Sequence, residues 1–283
     1  MKASKSLTFW DSSHFKENGY EVKPSVFSVG EVEIFRSKVY EQYEIDKRLG
    51  LTINEGTNSN LRLADGCLLS KAKLREILLD PRVIQFARDI LGSEKIIYWG
   101  DSSYQIGDGN RGFHRDCLDR KDFNGPDWQS PYTLIRVGIY LQDHSKHSGG
   151  LRVKPGTHET ATASPVFINS KPGDLVAWSL KLLHSGNAVR LRWFSTLSIK
   201  DTAIENRVPS FLRKEQECES IALFITFGSD SPHLYRYISE YQLKRNETVK
   251  SLKASVWNQD ILKLAEQRGL DVKVLLPEFQ LNS

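Results

Sequence analysis

Two short runs hold the side chains with the most chemistry to offer. Gly112-Phe113-His114-Arg115-Asp116 opens the stretch, and Lys181-Leu182-Leu183-His184-Ser185-Gly186-Asn187 closes it, followed by Arg190-Leu191-Arg192. A histidine and an aspartate two apart on a strand point to one face, because side chains alternate with period two. A second histidine from a later strand can complete three ligands on one side of a metal. Two imidazoles and one carboxylate, with positions left open, form the ligand set of non-haem Fe(II) oxygenases. A bare His-x-Asp also arises by chance, and its plain alternative is a surface pair on a polar strand. A basic residue soon after the distal histidine is placed to hold the carboxylate of an acidic co-substrate. Arg190 and Arg192 share a parity, so alternation alone does not choose between them.

The segments in between must position those residues. Residues 132–143 read as a strand, and 149–158 and 171–178 read as short strands joined by Pro-Gly turns. Together they describe a small antiparallel barrel carrying ligands on two strands.

The run resembles the phytanoyl-CoA dioxygenase family of Fe(II)/2-oxoglutarate oxygenases. The matching pieces are His114-Arg115-Asp116, the Gly149-Gly150-Leu151 to Gly156-Thr157-His158 segment, Pro172-Gly173-Asp174, His184-Ser185-Gly186-Asn187 and Arg192. More loosely, Asp80-Pro81-Arg82-Val83 running on to Gly92 is similar to the helix that precedes the family's barrel. The resemblance implies an α+β fold, a double-stranded β-helix (jelly-roll or cupin-like) barrel supported by N-terminal helices, with a C-terminal helical extension. It implies one domain over 1–283, with the barrel at about 95–200 and helical supports at 28–92 and 210–268.

By the same resemblance, His114, Asp116 and His184 hold Fe(II), 2-oxoglutarate takes two open positions and O2 the third. The family's arginine strand favours Arg192 for the far carboxylate, where a guanidinium fork matches bidentately. Ser185, Ser195 and Tyr104 are candidates to add hydroxyls to that co-substrate. The family often carries glutamine where this chain has Arg115, and a co-substrate tryptophan where it has Gly138. The acyl-CoA substrate is therefore not carried over. Halogenases of the superfamily lack the carboxylate, so Asp116 favours hydroxylation with release of succinate and CO2.

Composition is that of an ordinary soluble, globular chain. The 283 residues are 39% hydrophobic and 26% charged, with a net charge of +4, too mild to argue for nucleic acid. Cys67, Cys117 and Cys218 are odd in number and scattered, which favours a reducing, cytoplasmic setting. Cys117 reads as a small buried thiol. The first residues lack the apolar core of a signal peptide, and no stretch is long enough for a membrane span. Arg111, Arg115, Arg120, Lys121, Arg136, Arg152 and Lys181 crowd the ligand strands. They suggest a polar or anionic metabolite, with Gln105, Arg115, Arg120 and Arg136 as candidate contacts.

Along the rest of the chain, a short helix is expected near 12–18 and an amphipathic helix over 29–49. Residues 53–65 read as loop, and 70–92 as two helices broken at Asp80-Pro81, with Asp80 as cap and Gly92 as stop. Residues 117–131 form a long polar connection suited to substrate choice. His144 and His147 read as solvated, and His158 as a structural hydrogen-bonding residue. After Lys200 the barrel pattern stops, and 210–219 and 231–268 read as helical around a strand-like apolar run at 221–227. This tail can cap the barrel, pack on a second subunit as a homo-oligomer, or fold over the substrate. Two rivals remain. One is a cupin-like metal-dependent isomerase or hydrolase, which needs no co-substrate arginine. The other is a non-catalytic barrel binding module, which would need a damaged triad.

Overall fold

The computed structural model describes residues 12–54, 61–107, 109, 112–194, 199, 202–205, 207–216 and 218–276. Its helices are α1 (Ser13–Asn18), α2 (Val29–Arg48), α3 (Arg75–Leu78), α4 (Pro81–Leu91), α5 (Thr202–Glu205), α6 (Pro232–Tyr237), α7 (Asn246–Lys253) and α8 (Gln259–Gln267). Its strands are β1 (Tyr20–Lys23), β2 (Thr52–Asn54), β3 (Arg62–Ala64), β4 (Ile97–Tyr98), β5 (Ser102–Ile106), β6 (Leu134–Tyr140), β7 (Gly150–Val153), β8 (Val166–Phe167), β9 (Leu175–Ser179), β10 (His184–Ala188), β11 (Ile221–Gly228) and β12 (Asp271–Val272). The fold is a mixture of helices and largely antiparallel sheet. Nine strands form one sheet in the order β1-β9-β6-β11-β5-β3-β2, with β4 and β12 attached beside β11. A three-stranded sheet runs β10-β7-β8.

Strand alternation sorts the large sheet into two faces. Ile135, Val137 and Ile139 of β6, Leu223 and Ile225 of β11, and Leu175 and Ala177 of β9 join the main apolar cluster with helices α2 and α4. The residues between them, Tyr140, Ala222, Val176 and Trp178, face a smaller cluster shared with Leu151 and Val153 of the small sheet. Full burial of each such aliphatic side chain contributes about 1.5–3 kcal/mol. Functional side chains of the large sheet can therefore reach the space between the sheets only from the second face.

The supporting helices follow their local signals. Ser28 accepts from the Glu31 backbone while the Glu31 side chain accepts from Ser28, a reciprocal cap on α2. Buried Arg36 then donates to the Leu141 and Glu219 carbonyls, tying α2 to the end of β6 and the approach to β11. Asp80 caps α4, with Pro81 in its first turn, and Gly92 stops it at φ 60°. Gly19 ends α1 at φ 77°, where an added Cβ would lie 2.5 Å from the His158 ring. His158 Nε2 bonds the Lys16 carbonyl at 3.0 Å, so the Pro-Gly-Thr-His turn docks on α1.

Four expectations change. The strand-like run at 221–227 is a strand, as read, but it does not lie beyond the barrel: β11 is in the middle of the large sheet, between β6 and β5. The core sheet thus draws strands from 20–23, 52–54, 62–64 and 221–228 as well as from 95–200. Among the described residues of 210–219 there is a single 3-10 turn, Ser210–Leu212, after which Arg213 is extended and the Lys214 N–H donates to the Arg190 carbonyl. The stretch read as loop at 53–65 has paired arms, Ile53 opposite Leu63, with 55–60 outside the described residues. His144 is buried at 1% exposure, not solvated. It sits against Gln142 and Ser170, and its carbonyl accepts from Arg190 Nε.

Burial drives the His144 pKa down to about 3. The unfolded chain binds this proton at about 6.5 and the folded one far lower. Stability is therefore full above about 6.5 and is lost as pH falls towards 3. Between pH 7 and 5 this one group should remove about 2 kcal/mol. Urea unfolding of wild type and His144→Gln at both pH values checks this, and the wild type should lose more by that amount.

Candidate metal centre

His114 and His184 pair as an antiparallel bridge, each backbone N–H donating to the other's carbonyl at 3.0 Å. Asp116 and Cys117 then both donate their N–H to the Leu180 carbonyl. This register brings His114, Asp116 and His184 together, with their ligand atoms all within 4.8 Å of one another. Among the described residues they form the single cluster of three or more histidine, cysteine or acidic side chains with metal-ligand spacing.

The imidazoles are oriented from behind. His114 Nδ1 lies 2.8 Å from the Gly112 carbonyl, and His184 Nδ1 lies 3.0 Å from the Leu182 carbonyl. Those carbonyls can only accept, so each Nδ1 carries the proton and each Nε2 offers its lone pair. Both Nε2 atoms face Asp116, at 3.7 Å and 3.5 Å from its two oxygens. Burial holds His184 at about 4, against the pull of Asp116, so it is neutral at neutral pH. Arg136 Nη1 donates to Asp116 Oδ2 at 2.8 Å and so aims the carboxylate. Burial alone would lower the Arg136 pKa, but Asp116 and Asp101 outweigh it and hold it above the ordinary arginine value. Two imidazoles presenting Nε2 and a carboxylate, closed on one side and open on the other, fit a divalent transition metal.

The open side is a cavity of about 590 Å³. Its wall includes His114, His184, Arg136, Tyr140, Trp178 and Gln105. Trp178 fills the space opposite Gly138, where an added Cβ would lie 3.0 Å from its ring.

The candidate co-substrate residues are scattered. Arg192 is exposed, its backbone bonded to Leu212, and it does not line the cavity. Arg190 is buried against Phe167, Asn169 and the His144 carbonyl. Ser185 is buried and accepts from Arg152 at 3.3 Å, on the side of the small sheet where Arg152 pairs with Glu205. Ser195 lies outside the described residues. Tyr104 sits on the helix-facing side of β5 and donates to Asp46 at 2.7 Å, because alternation separates it from Gln105.

Of the substrate candidates, Gln105 and Arg136 line the cavity. Arg115 is instead a clamp: it donates to the Lys181 and Thr157 carbonyls and lies 5.3 Å from the rings of both Phe123 and Trp128. Arg120 donates to the Cys117 carbonyl and to Tyr241. Arg111 lies outside the described residues. The 117–131 connection is packed around buried Asp127, which accepts from the Leu118 and Asp119 backbone. Cys117 is buried, and burial raises its thiol to about 12.

Sequence reasoning missed Asp101, Tyr140, Trp178, Ser220 and Arg245, all in the cavity wall. Tyr140 could have been found by extending the Arg136 parity along β6. Ser220 needed β11 to be placed in the sheet. Arg245, from the far tail, carries no local signal.

Removing His184 with His184→Ala should lower Fe(II) affinity by at least the roughly 10–100-fold that follows loss of an outer-shell partner. Anaerobic Fe(II) titration measures this, with circular dichroism as the check on folding.

Comparison with known proteins agrees with this geometry. The sequence model of the phytanoyl-CoA dioxygenase (PhyH) family matches residues 15–190. The ectoine dioxygenase of Nocardia farcinica is 26% identical over 162 residues, which are 54% of this chain and 54% of that protein. The ectoine dioxygenase of Stutzerimonas stutzeri is 26% identical over 148 residues, 51% and 48% of the two chains. The chain thus spans about half the length of these relatives. Among solved structures, HygX from Streptomyces hygroscopicus, with nickel and 2-oxoglutarate bound, superposes with a TM-score of 0.53 at 17% identity, covering 76% of this chain and 85% of HygX. EctD from S. alaskensis, with bound Fe, gives 0.53 at 16% identity, covering 77% and 75%. At that identity the likeness is one of fold. Since the family match takes in more than half of the residues, including His114, Asp116 and His184, the chain belongs to the phytanoyl-CoA dioxygenase family.

Proposed function

We propose that this protein is a non-haem Fe(II)/2-oxoglutarate-dependent dioxygenase that hydroxylates a small polar metabolite. The observation that carries the reading is the His114–Asp116–His184 cluster, with both Nδ1 atoms tied to backbone carbonyls and both Nε2 atoms turned to one carboxylate. In this reading the two sheets are the faces of a jelly-roll barrel, with the metal between them. When bound, iron with O2 supplies the oxidising power. One O2, one 2-oxoglutarate and one substrate C–H give one alcohol, one succinate and one CO2.

The residues of the chain do the positioning. His114 and His184 present fixed lone pairs, and Arg136 keeps Asp116 turned towards them. Trp178, 5.5 Å from His184 between ring centres, walls one side of the centre with apolar surface. The cavity volume lies within the range typical of small-molecule sites, roughly 300–1,000 Å³. Its lining cations among the described residues are Arg136 and Arg245. An acidic co-substrate is served by these and by neutral donors of the wall, Gln105 and Ser220, rather than by exposed Arg192. Ser220 Oγ is buried there with no partner among the described residues.

The test is succinate formation from 2-oxoglutarate by protein loaded anaerobically with Fe(II) and then exposed to O2. Iron-dependent succinate should form in wild type and disappear in His184→Ala. In Arg192→Ala it should stay within about twofold, as for a surface substitution. Tight metal binding without any 2-oxoglutarate turnover would favour a metal-dependent isomerase or hydrolase.

A further inference from the structure

Asp101 stands where the turn before β5 meets the C-terminal helices. Gly100, at φ 94°, lets that turn pass so close that an added Cβ would lie 2.9 Å from Leu252 and 3.1 Å from Trp257. The Asp101 carbonyl accepts from the Thr226 backbone in β11, which fixes the residue at the inner edge of the sheet. Asp101 lines the same cavity as His114 and His184.

The two carboxylate oxygens of Asp101 are treated differently. Oδ2 receives three donors: Gln242 Nε2 at 3.2 Å, Arg136 Nη2 at 3.4 Å and Tyr237 Oη at 3.4 Å. Oδ1 has no partner among the described residues. Two of these donors come from one irregular piece of backbone. A π-helical turn, Ile238–Gln242, follows α6, with the Leu243 N–H bonded five residues back to Ile238. That spacing brings Tyr237 and Gln242, five apart, onto one carboxylate oxygen. Such turns are rare and frequently mark functional sites.

The place of Asp101 relative to the metal centre is set by Arg136. One guanidinium donates to Asp116 through Nη1 and to Asp101 through Nη2. The two carboxylates are therefore one guanidinium apart, the first turned to the metal ligands and the second to the cavity. With Asp116 engaged by a metal, Asp101 and Arg136 balance each other in charge. Oδ1 is then an oriented, partly shielded acceptor within a small molecule's length of the reacting centre.

The geometry points to Asp101 as the substrate-recognition residue of this cavity, accepting through Oδ1 a hydrogen bond from a hydroxyl or ammonium group of the substrate. This rests on the proposed oxygenase reading and narrows its substrate class from polar or anionic to hydrogen-bond-donating. A site built around an acceptor discriminates strongly, because a guest lacking the donor leaves a shielded carboxylate oxygen unpaired. The donors that hold Asp101, Tyr237 and Gln242, lie outside the span shared with the family, residues 15–190.

The test is binding to the full chain, without turnover, so that it stands apart from the oxygenase assay. Melting temperature and intrinsic tryptophan fluorescence are followed for metal-free and Mn(II)-loaded protein. The probes are primary amines, amino acids and polyols, each beside its N-acylated or O-methylated counterpart. Donor-bearing probes should bind wild type and outbind their blocked counterparts. In Asp101→Asn they should weaken by about 10–100-fold, the value of a hydrogen bond to a charged group. Preference for amines or for polyols identifies the donor as ammonium or hydroxyl. Should Asp101→Asn fail to fold, Tyr237→Phe removes one donor from Oδ2 without touching Oδ1, and it should weaken donor-bearing probes alone. Equal binding of blocked and unblocked probes, equal binding by wild type and variant, or no binding by any donor-bearing probe overturns the assignment. Asp101-dependent binding without succinate formation would sink the oxygenase reading and leave the site standing.

Discussion

Everything at the metal centre depends on two backbone hydrogen bonds, the reciprocal pair between His114 and His184. They set the register of two segments far apart in sequence. A slip of one residue would turn each imidazole to the opposite face. The neighbouring bonds from Asp116 and Cys117 to the Leu180 carbonyl lock the same register one step further on. Because Gly112 and Leu182 supply carbonyls to the two Nδ1 atoms, the backbone that pairs the segments also chooses the tautomer of both rings. Side-chain chemistry here is a by-product of main-chain pairing.

A second constraint is the handling of charge in the space between the sheets. Arg136 is surrounded by Asp116, Asp101 and the Thr226 hydroxyl. Breaking a buried pair by removing one partner typically costs about 3–5 kcal/mol, since the other charge is left without compensation. That cost ties the metal-facing carboxylate, the cavity-facing carboxylate and the middle of β6 into one unit. On the far side of the small sheet, Arg152 with Glu205 forms a separate buried pair. The dense basic residues near the ligand strands are thus mostly structural. Arg115, Arg152 and Lys181 are spent on carbonyls, aromatic faces and acids of the chain itself.

Much of this was legible in the sequence, for reasons that differ from residue to residue. The triad was readable from His-x-Asp, the distal histidine and the family resemblance of the run around them, although His114 sits in an isolated bridge and Asp116 in no strand. Helices α2 and α4 were readable from Ser28, Asp80, Pro81 and Gly92, whose preferences act within one turn. The failures are non-local. Tyr104 and Gln105 are adjacent, and only the identity of the buried face decides which one meets the cavity. His144 looked solvated in a polar turn, yet Gln142, Ser170 and Arg190 close around it from three directions. Arg192 looked like the co-substrate cation through its match to the family's arginine strand, but its backbone pairs with Leu212 and its side chain is exposed. Asp101 was invisible because its meaning comes from Tyr237 and Gln242, 136 and 141 residues further along the chain.

The position of β11 has a consequence for how the chain is made. It is central in the sheet but late in synthesis, and its neighbours β5 and β6 are both completed long before it. Until Ile221 to Gly228 leaves the ribosome, both of those strands present an unpaired edge across an empty slot. Such edges are templates for any extended segment, including that of another copy. Closure must await a contact of high sequence separation, which is slow to form. The nascent protein is therefore most vulnerable to association with other copies after its metal ligands have been synthesised and before the strand that closes their sheet has arrived.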